Sequence, residues 1–261
     1  MNSPVFNLPE SFDFFPYARY RAEENMALDE TLYQSVITGK RQAVFRIYGW
    51  DKPSITLGRF QSASGLDLKR CERDDIPVIR RITGGRGVFH HNEITYCMII
   101  QREKPIVTDK KKAFSWISGI IARGLSHMGI EAYVTSRKLG ELKNPNCFES
   151  TSLCEIVNKR GEKIVGSAML VQSGTIMAQG SIPLDDTHKQ LAAYLSERAL
   201  PAKISDHRTI YYDSDYAAMQ FAAGMENTLN LMLCDPTDKE LSEVNSLVLN
   251  KYQSDSWNFM K

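Results

Sequence analysis

Hydrophobic and polar residues recur with two different periods along the chain, and these periods divide it into helices and strands. Residues 22–37 repeat apolar side chains at helical spacing, with Met26, Leu32 and Val36 on one face. The acidic residues of this segment, which include Glu23, Glu24, Asp29 and Glu30, are expected on the opposite, polar side. A second amphipathic helix is predicted at residues 109–128, and Gly129 ends it.

Strands are predicted where β-branched and apolar residues form short or alternating runs. In the first half of the chain they are residues 43–48, 54–60 and 94–100, and a further strand opens the stretch that begins at Val78. Gly58 interrupts the second run, which indicates a bulge or a close backbone approach. Residues 1–20 lack periodicity and predict an extended arm with room for one edge strand.

The second half predicts a meander followed by helices. Three strands are expected at residues 153–157, 163–171 and 175–184, and both connectors carry residues typical of hairpin turns. Helical patterns follow at residues 187–198, 216–233 and 238–251. Together these elements predict an α+β fold in one domain spanning 1–261. A mixed, mostly antiparallel sheet packed with helices occupies residues 20–184, and 185–261 form a helical C-terminal section.

Composition narrows the class of protein. The 261 residues are 43% hydrophobic and 24% charged, which is enough for one large globular domain. A net charge of +1 gives no global field that favours nucleic acid. No apolar run approaches the ~20 residues that span a bilayer, and the first residues do not resemble a secretory signal. Five scattered cysteines without a CxxC pair argue against a zinc site and favour a reducing, cytoplasmic location.

The segment from Val78 to His91 is the most unusual stretch of the chain. It joins two strands through a loop that holds Gly84, Gly85 and Gly87, beside the cationic residues Arg80, Arg81 and Arg86. Glycines expose backbone N–H groups to a ligand, and the arginines add fixed positive charge. An ordinary glycine-rich hairpin with solvated arginines is an equally good interpretation of the spacing.

Two further positions are candidates for chemistry. Cys147 follows an Asn-Pro-Asn loop, close to the positive charge of Lys143, although a lone cysteine is more often an inert buried thiol. Lys163 starts a strand and is followed by the small residues Gly166, Ser167 and Ala168, which leave space for an acyl chain or a flat ring. A surface lysine is the ordinary alternative. Serine-hydrolase, zinc-protease and P-loop motifs are absent from the sequence, and no metal site is expected.

Several blocks in the same order resemble the lipoate–protein ligase and octanoyltransferase family, which shares a fold superfamily with biotin protein ligases. The blocks are residues 25–30, 45–50, 54–61, 80–90, 163–168 and 251–257. Two positions depart from the family pattern, Gly87 in place of Ala and His91 in place of Asp. The resemblance implies that substrate is bound by Arg80, Arg81, Thr83, Gly84, Gly85, Arg86, Gly87, His90, Gly166, Ser167 and Ala168.

One branch of the family fits best. Cys147-Phe148-Glu149, followed by Lys163-Ile164-Val165-Gly166, resembles the cysteine-dependent octanoyltransferases that act on the glycine-cleavage H protein. That likeness implies Cys147 and Lys163 as catalytic residues and a thioester intermediate, with no cofactor. It also implies an octanoyl-acyl carrier protein as donor and a lipoyl-domain protein as acceptor, the H protein or a 2-oxoacid dehydrogenase E2. A monomer is expected, without nucleic-acid or membrane partners.

Alternative activities remain open. An ATP-dependent lipoate or octanoate ligase would need ATP and Mg²⁺ and would use Lys163 to hold an acyl-adenylate. A lipoyl amidotransferase would move the acyl group between two lipoyl domains, and a non-enzymatic member would only bind one. The run from Lys110 to Lys112 in the first turn of the second helix is either a solvated face or a docking patch for an acidic carrier protein.

Overall fold

The computed structural model describes residues 9–101, 110–135, 154–196 and 213–260. In these ranges the strands are β1 (Phe12–Phe15), β2 (Arg19–Tyr20), β3 (Ala43–Trp50), β4 (Ser54–Leu57), β5 (Val78–Arg80), β6 (Val88–His90), β7 (Glu93–Gln101), β8 (Tyr133–Val134), β9 (Ile156–Val157), β10 (Lys163–Gln172), β11 (Thr175–Pro183) and β12 (Leu231–Leu233). The helices are α1 (Ala22–Ile37), α2 (Leu68–Arg73), α3 (Lys110–His127), α4 (Ser214–Glu226), α5 (Asp238–Leu247) and α6 (Asp255–Asn258). Two 3₁₀ segments, Ala63–Gly65 and Asp186–Tyr194, and a π-helical turn, Val248–Tyr252, complete the described elements.

The strands form two sheets. The larger has the order β12-β1-β3-β7-β11-β10-β9-β8, with β2 beside β3, and the smaller has the order β5-β4-β6. The run from β3 through β7 and β11 to β10 is antiparallel, whereas β1 is parallel to both of its neighbours. The predicted α+β fold with a mixed, mostly antiparallel sheet is confirmed.

Helices cover both faces of the larger sheet, and strand β3 shows how the sequence directs this. Its side chains alternate between the faces, as they do in any strand. Phe45 and Ile47 join the core beneath α3 and α4, whereas Val44 and Tyr48 join the core beneath α1. Because both faces are covered, every residue of β3 is buried.

Helix α1 begins at Ala22 and ends at Ile37, as predicted, but one expectation about its surface is wrong. Asp29, expected on the polar face, is instead fully buried. The alternation of β3 places Arg46 on the side of the sheet that α1 covers, and its guanidinium donates a 2.6 Å hydrogen bond to the Asp29 carboxylate. The buried cation therefore draws the buried carboxylate onto the sheet face.

Both ends of the described chain contribute to the larger sheet. Strand β1 lies inside the sheet, between β12 and β3. The edge strand expected in residues 1–20 is the short β2, which pairs with β3 alone among the described strands. The helix expected at residues 216–233 is wrong beyond Glu226, since residues 231–233 form β12, parallel to β1. The open edge of β1 offers backbone partners that the helical pattern of residues 216–233 could not reveal.

The remaining expectations differ in outcome. The meander is confirmed by β9, β10 and β11, and Ser173 and Gly174 both adopt the left-handed conformation of a tight hairpin. In place of the helix expected at 187–198, the chain forms a 3₁₀ segment from Asp186 to Tyr194. The last two residues of that expected helix, 197 and 198, and the loop expected at 137–146 lie outside the described ranges. Within the described ranges, no helix is both long and apolar enough to cross a membrane.

Arg41 fixes helix α5 to the N-terminal half of the chain. Its guanidinium binds both carboxylate oxygens of Glu240 at 2.8 Å and donates to Asp13 at 2.6 Å. Glu240 also closes the capping box of α5 with Thr237. Burial raises the pKa of Glu240, but the hydrogen bonds from Arg41 and from the Thr237 N–H outweigh it and leave the pKa at about 2.

Candidate active site

The glycine loop between β5 and β6 packs directly on the end of β4. A Cβ atom on Gly58 would overlap the carbonyl oxygen of Gly85, so the close approach expected at Gly58 is confirmed. Gly85 has a φ of 90°, and a Cβ there would lie 2.8 Å from a guanidinium nitrogen of Arg81. The loop therefore needs glycine at 85 for its conformation and at 58 for its packing. Gly84 faces open space.

Arg81 organises the loop from inside. One terminal nitrogen of its guanidinium donates to the carbonyl of Gly84 and to that of Arg86, both at 2.8 Å. The other donates to the carbonyl and hydroxyl oxygens of Thr56 on β4. These bonds wrap the loop backbone around a buried cation. The predicted binding of substrate by Arg81 stays a prediction.

The neighbouring Arg80 faces a different part of the fold. Its side chain is fully buried, and its guanidinium donates only to backbone carbonyls among the described residues. These carbonyls belong to Gly58, Arg59, Gln61, Trp257, Asn258 and Met260. Arg80 thus ties the start of the loop to the C-terminal tail, and its role as a ligand for substrate stays a prediction.

A buried chain of polar groups continues from Arg81 into the smaller sheet. The hydroxyl of Thr56 lies 2.7 Å from Nε2 of His90, and Nδ1 of His90 lies 2.8 Å from the Glu93 carboxylate. The ring of Trp50 stacks on the imidazole, with centroids 4.0 Å apart. His90 is therefore held at both ring nitrogens and by one stacked ring, which fixes its orientation.

Glu93 is the far end of this chain. Its carboxylate also accepts hydrogen bonds from Trp50, Thr95 and Ser181. Burial raises the pKa of Glu93, but the charge and hydrogen bond of His90, together with the two hydroxyls, outweigh it and leave the pKa below its ordinary value. Glu93 therefore stays ionised inside the fold, where its carboxylate holds the His90 ring through Nδ1.

A second polar chain reaches the loop from helix α1. The Gln179 side chain donates to the Asp29 carboxylate and accepts from the Thr83 hydroxyl, each at 2.6 Å. Asp29 also accepts from Tyr48 at 2.7 Å and pairs with Arg46. Thr83, predicted to bind substrate, is thus fully buried and anchors the loop to α1 and β11. Its predicted contact with substrate stays untested.

Between the two polar chains lies a narrow cleft with a volume of about 30 Å³. Five of the residues predicted from the sequence line it, namely Arg81, His90, Gly166, Ser167 and Ala168. Apolar side chains from α1, β3 and β6 complete one wall, and these are Met26, Tyr48, Trp50 and Val88. The cleft combines an apolar interior with a few fixed polar groups, as small-molecule sites commonly do.

Sequence reasoning missed several residues of this cleft. Gly180 lies beneath the ring of Tyr96, which a Cβ on Gly180 would overlap, and the Tyr96 hydroxyl bonds Ser167 at 2.9 Å. A glycine inside a buried strand is a signal that could have found it. Thr56 and Gln179 also line the cleft, but no local pattern distinguishes them from other strand residues.

Lys163 is buried, so the alternative of an ordinary surface lysine is wrong. Its ammonium donates a 2.8 Å hydrogen bond to the carboxylate of Glu155, and the two side chains are only 2% and 7% exposed. Lys163 begins the same strand, β10, whose residues 166–168 line the cleft. Its predicted catalytic role is not tested by this geometry.

Cys147, the predicted nucleophile, lies outside the described residues.

Two other cysteines have thiols that burial makes unreactive. Burial raises the pKa of the Cys71 thiol to about 11 and that of the Cys97 thiol well above its ordinary range. Neither thiol is therefore a nucleophile at neutral pH, because the thiolate is the reactive form. Cys154 is buried and hydrogen-bonds the carbonyl of Lys111, at 3.8 Å.

Comparison with known proteins shows to which family the chain belongs. A sequence profile of the lipoyl protein ligase A/B catalytic domain matches residues 21–218. The chain belongs to this family. The octanoyltransferase LipM of Halalkalibacterium halodurans is 34% identical over 264 aligned positions, which cover 91% of this chain and 94% of that one. The octanoyltransferase LipM of Bacillus subtilis is 34% identical over 265 positions with the same coverage.

Solved structures of lipoyl protein ligase A/B relatives share the fold. A lipoate-protein ligase A bound with ATP superposes with a TM-score of 0.72 at 20% identity, covering 95% of this chain and 98% of that one. The bipartite lipoate protein ligase of Thermoplasma acidophilum gives 0.71 at 21% identity, covering 96% of each. The family resemblance inferred from the sequence is confirmed, and the fold is that of the ligase catalytic domain.

Proposed function

We propose that this protein is an octanoyltransferase of lipoate biosynthesis that carries octanoate on Cys147 as a thioester. The donor is an octanoyl-carrier protein, and the acceptor is a lysine of a lipoyl-domain protein such as the H protein. The relatives named octanoyltransferase LipM support octanoyl transfer, because about a third of the residues are identical over nine-tenths of both chains. They also support an acyltransferase activity.

The observation that carries the proposal is the pairing of an apolar cleft with small residues on the strand that begins at Lys163. Gly166, Ser167 and Ala168 line the cleft without filling it, and the glycine loop meets them where a Cβ on Gly85 would lie 3.4 Å from that of Ala168. Each buried CH₂ of an acyl chain contributes ~0.8 kcal/mol. An eight-carbon chain lying along this strand would therefore gain several kcal/mol before ordering costs are subtracted.

The proposed reaction has two transfers. In the first, the Cys147 thiolate attacks the donor thioester, a bond forms between its Sγ and the octanoyl carbonyl carbon, and the carrier thiolate leaves. In the second, the neutral amine of the acceptor lysine attacks that carbon. The C–N bond forms, the Cys147 thiolate leaves, and the nitrogen releases a proton.

Lys163 acts on both transfers as a buried cation. An ammonium group near a thiol favours the thiolate, which is needed as nucleophile in the first step and as leaving group in the second. The pairing with Glu155 supports this role, because it gives the Lys163 ammonium a carboxylate partner inside the protein, where both side chains are shielded from water. No cofactor takes part in the proposed reaction.

A donor comparison tests the proposal. The protein is incubated with an apo H protein and either octanoyl-carrier protein, or free octanoate with ATP and Mg²⁺, or an octanoylated lipoyl domain. We expect rapid acylation of the H protein from the carrier thioester and not from free octanoate. Acylation that requires ATP would establish a ligase instead, and acylation only from the lipoyl domain would establish an amidotransferase. Binding without transfer from any donor would leave only a binding function.

A further inference from the structure

Glu155 is the buried partner of Lys163, and the proposed reaction gives it no step of its own. It lies immediately before strand β9, and its side chain faces the first residue of β10. The carboxylate accepts from the Lys163 ammonium through Oε1, at 2.8 Å. Its other oxygen, Oε2, is buried and has no hydrogen-bond partner among the residues that the structure describes.

An unpartnered carboxylate oxygen is costly inside a protein. Buried polar atoms are nearly always hydrogen-bonded, and an exception calls for an explanation, of which a catalytic role is one. A buried ion pair is also a weak source of stability, since apolar residues of the same volume often stabilise a fold as well or better. The combination of a buried Lys–Glu pair and an unsatisfied oxygen therefore points to a use other than stability.

The backbone around the pair is irregular in two places. Cys154, the residue before Glu155, has a φ of 69°, in the left-handed region that non-glycine residues seldom adopt. The register between β9 and β10 shifts between Lys163 and Val165, which indicates a bulge. Bulges and unfavourable backbone angles recur where a side chain must be aimed at a particular point. Here they flank the two members of the ion pair.

We propose that Glu155 is a positioning residue that holds the Lys163 ammonium in place for acyl transfer. The proposal rests on the proposed function, in which Lys163 stabilises the Cys147 thiolate. Glu155 acts only through Lys163 and touches no substrate. A carboxylate at hydrogen-bond distance removes the freedom of a long, flexible side chain and fixes where its charge lies.

A double-mutant cycle tests this role. Single-turnover acyl transfer from octanoyl-carrier protein is measured for the wild type, Glu155→Gln, Lys163→Met and the double variant. Glutamine keeps the shape and an accepting oxygen but removes the charge. We expect Glu155→Gln to slow the chemical step by about tenfold to a hundredfold, as misplaced catalytic groups do, with the KM for the donor unchanged within about twofold. We expect the double variant to be no slower than Lys163→Met alone.

Two further variants separate positioning from folding. Glu155→Asp keeps the charge, and we expect it to restore a substantial part of the rate that glutamine loses. Glu131→Gln is the matched control, because Glu131 forms an exposed ion pair with Lys159 at 3.0 Å in the same region of the fold. We expect wild-type kinetics from it. If Glu155→Gln fails to fold, Glu155→Met takes its place, because methionine keeps the length of the side chain without the charge. A slower chemical step with an unchanged KM then supports positioning, and an unchanged rate overturns it.

The outcomes distinguish this inference from the proposed function. Full activity of Lys163→Met would remove the role of Lys163 and with it part of the proposed function. Loss of activity in Lys163→Met with an unchanged rate in Glu155→Gln would overturn only the role of Glu155. Losses that multiply in the double variant would also overturn it, because a residue that acts through another adds nothing once that residue is gone.

Discussion

The carbonyl oxygen of Gly85 occupies the space that a side chain on Gly58 would need. The glycine loop thus rests on the end of β4 through two residues that lack a Cβ. Arg81 then holds the loop from inside, and Thr83 ties it to Gln179. The loop is a packed part of the fold, with one face on the cleft.

Gly58→Ala is expected to displace the glycine loop. The new methyl group would overlap backbone rather than a flexible side chain, so the loop itself must move. Overpacking of this kind costs about 1–3 kcal/mol. We expect that loss in the free energy of unfolding by urea denaturation, and an octanoyl-transfer rate lower by tenfold or more.

Gly65→Ala is the matched control for this experiment. Gly65 lies shortly after the same strand, and a Cβ there would meet nothing within 4 Å. Its unfolding free energy should stay within about 0.5 kcal/mol of the wild type. Equal effects from the two substitutions would show that the contact between Gly58 and Gly85 does not matter.

Gly180→Ala is expected to move the Tyr96 ring, which lies directly against Gly180. The Tyr96 hydroxyl would then lose its 2.9 Å contact with Ser167 on the cleft wall. We expect the KM for the octanoyl donor to rise more than the KM for the lipoyl-domain acceptor, measured by varying each in turn. An unchanged KM for the donor would mean that octanoate does not lie against this part of β10 and β11.

Gln179→Met is expected to loosen the loop from helix α1. Methionine matches the shape of glutamine but leaves Thr83 and Asp29 without a shared partner in the interior. Unsatisfied buried groups cost about 1–3 kcal/mol each. Thermal unfolding should detect the loss, whereas Gln172→Met at the exposed end of the same hairpin should have little effect. Comparable melting temperatures for the two variants would contradict the assignment.

Glu240 predicts a pH dependence of stability. Its folded pKa of about 2 lies below its ordinary value of 4.5, so the unfolded chain binds a proton first as the pH falls. The stabilisation, on the order of 3 kcal/mol, is complete above about pH 4.5 and is lost as the pH falls towards 2.

Glu240→Gln should therefore be less stable than the wild type at pH 7, and the difference should shrink below pH 4.5. Urea denaturation at pH 7, 4 and 3 measures it. Glu243→Gln is the control, because Glu243 makes only a loose 3.9 Å contact with Lys40 at the surface. A difference between wild type and Glu240→Gln that is the same at pH 7 and pH 3 would contradict the pairing with Arg41.

Much of the fold could be predicted because the local signals in the sequence agree with the tertiary structure. Helix α1 has its predicted bounds, and the β10–β11 hairpin has its predicted turn. The close approach predicted at Gly58 is confirmed, since a glycine inside a strand often marks a place where another backbone comes near. Within the candidate site, the predicted residues Arg81, His90 and 166–168 do meet in one cleft.

The parts that were missed depend on partners far away in sequence. Asp29 is buried only because Arg46 faces it from β3, and β12 is a strand only because β1 has an open edge. Glu155 could not be predicted, because a single acid beside a strand carries no local signal. Its burial against Lys163 emerges only when β9 and β10 pair.

The thioester on Cys147 can be observed by mass spectrometry after brief incubation of the protein with octanoyl-carrier protein and no acceptor. We expect one octanoyl group on the enzyme, located on Cys147 by peptide mapping and discharged when a lipoyl-domain protein is added. Cys147→Ala should carry no such group and should transfer no octanoate. Octanoyl transfer by Cys147→Ala at the wild-type rate would contradict a cysteine-dependent mechanism.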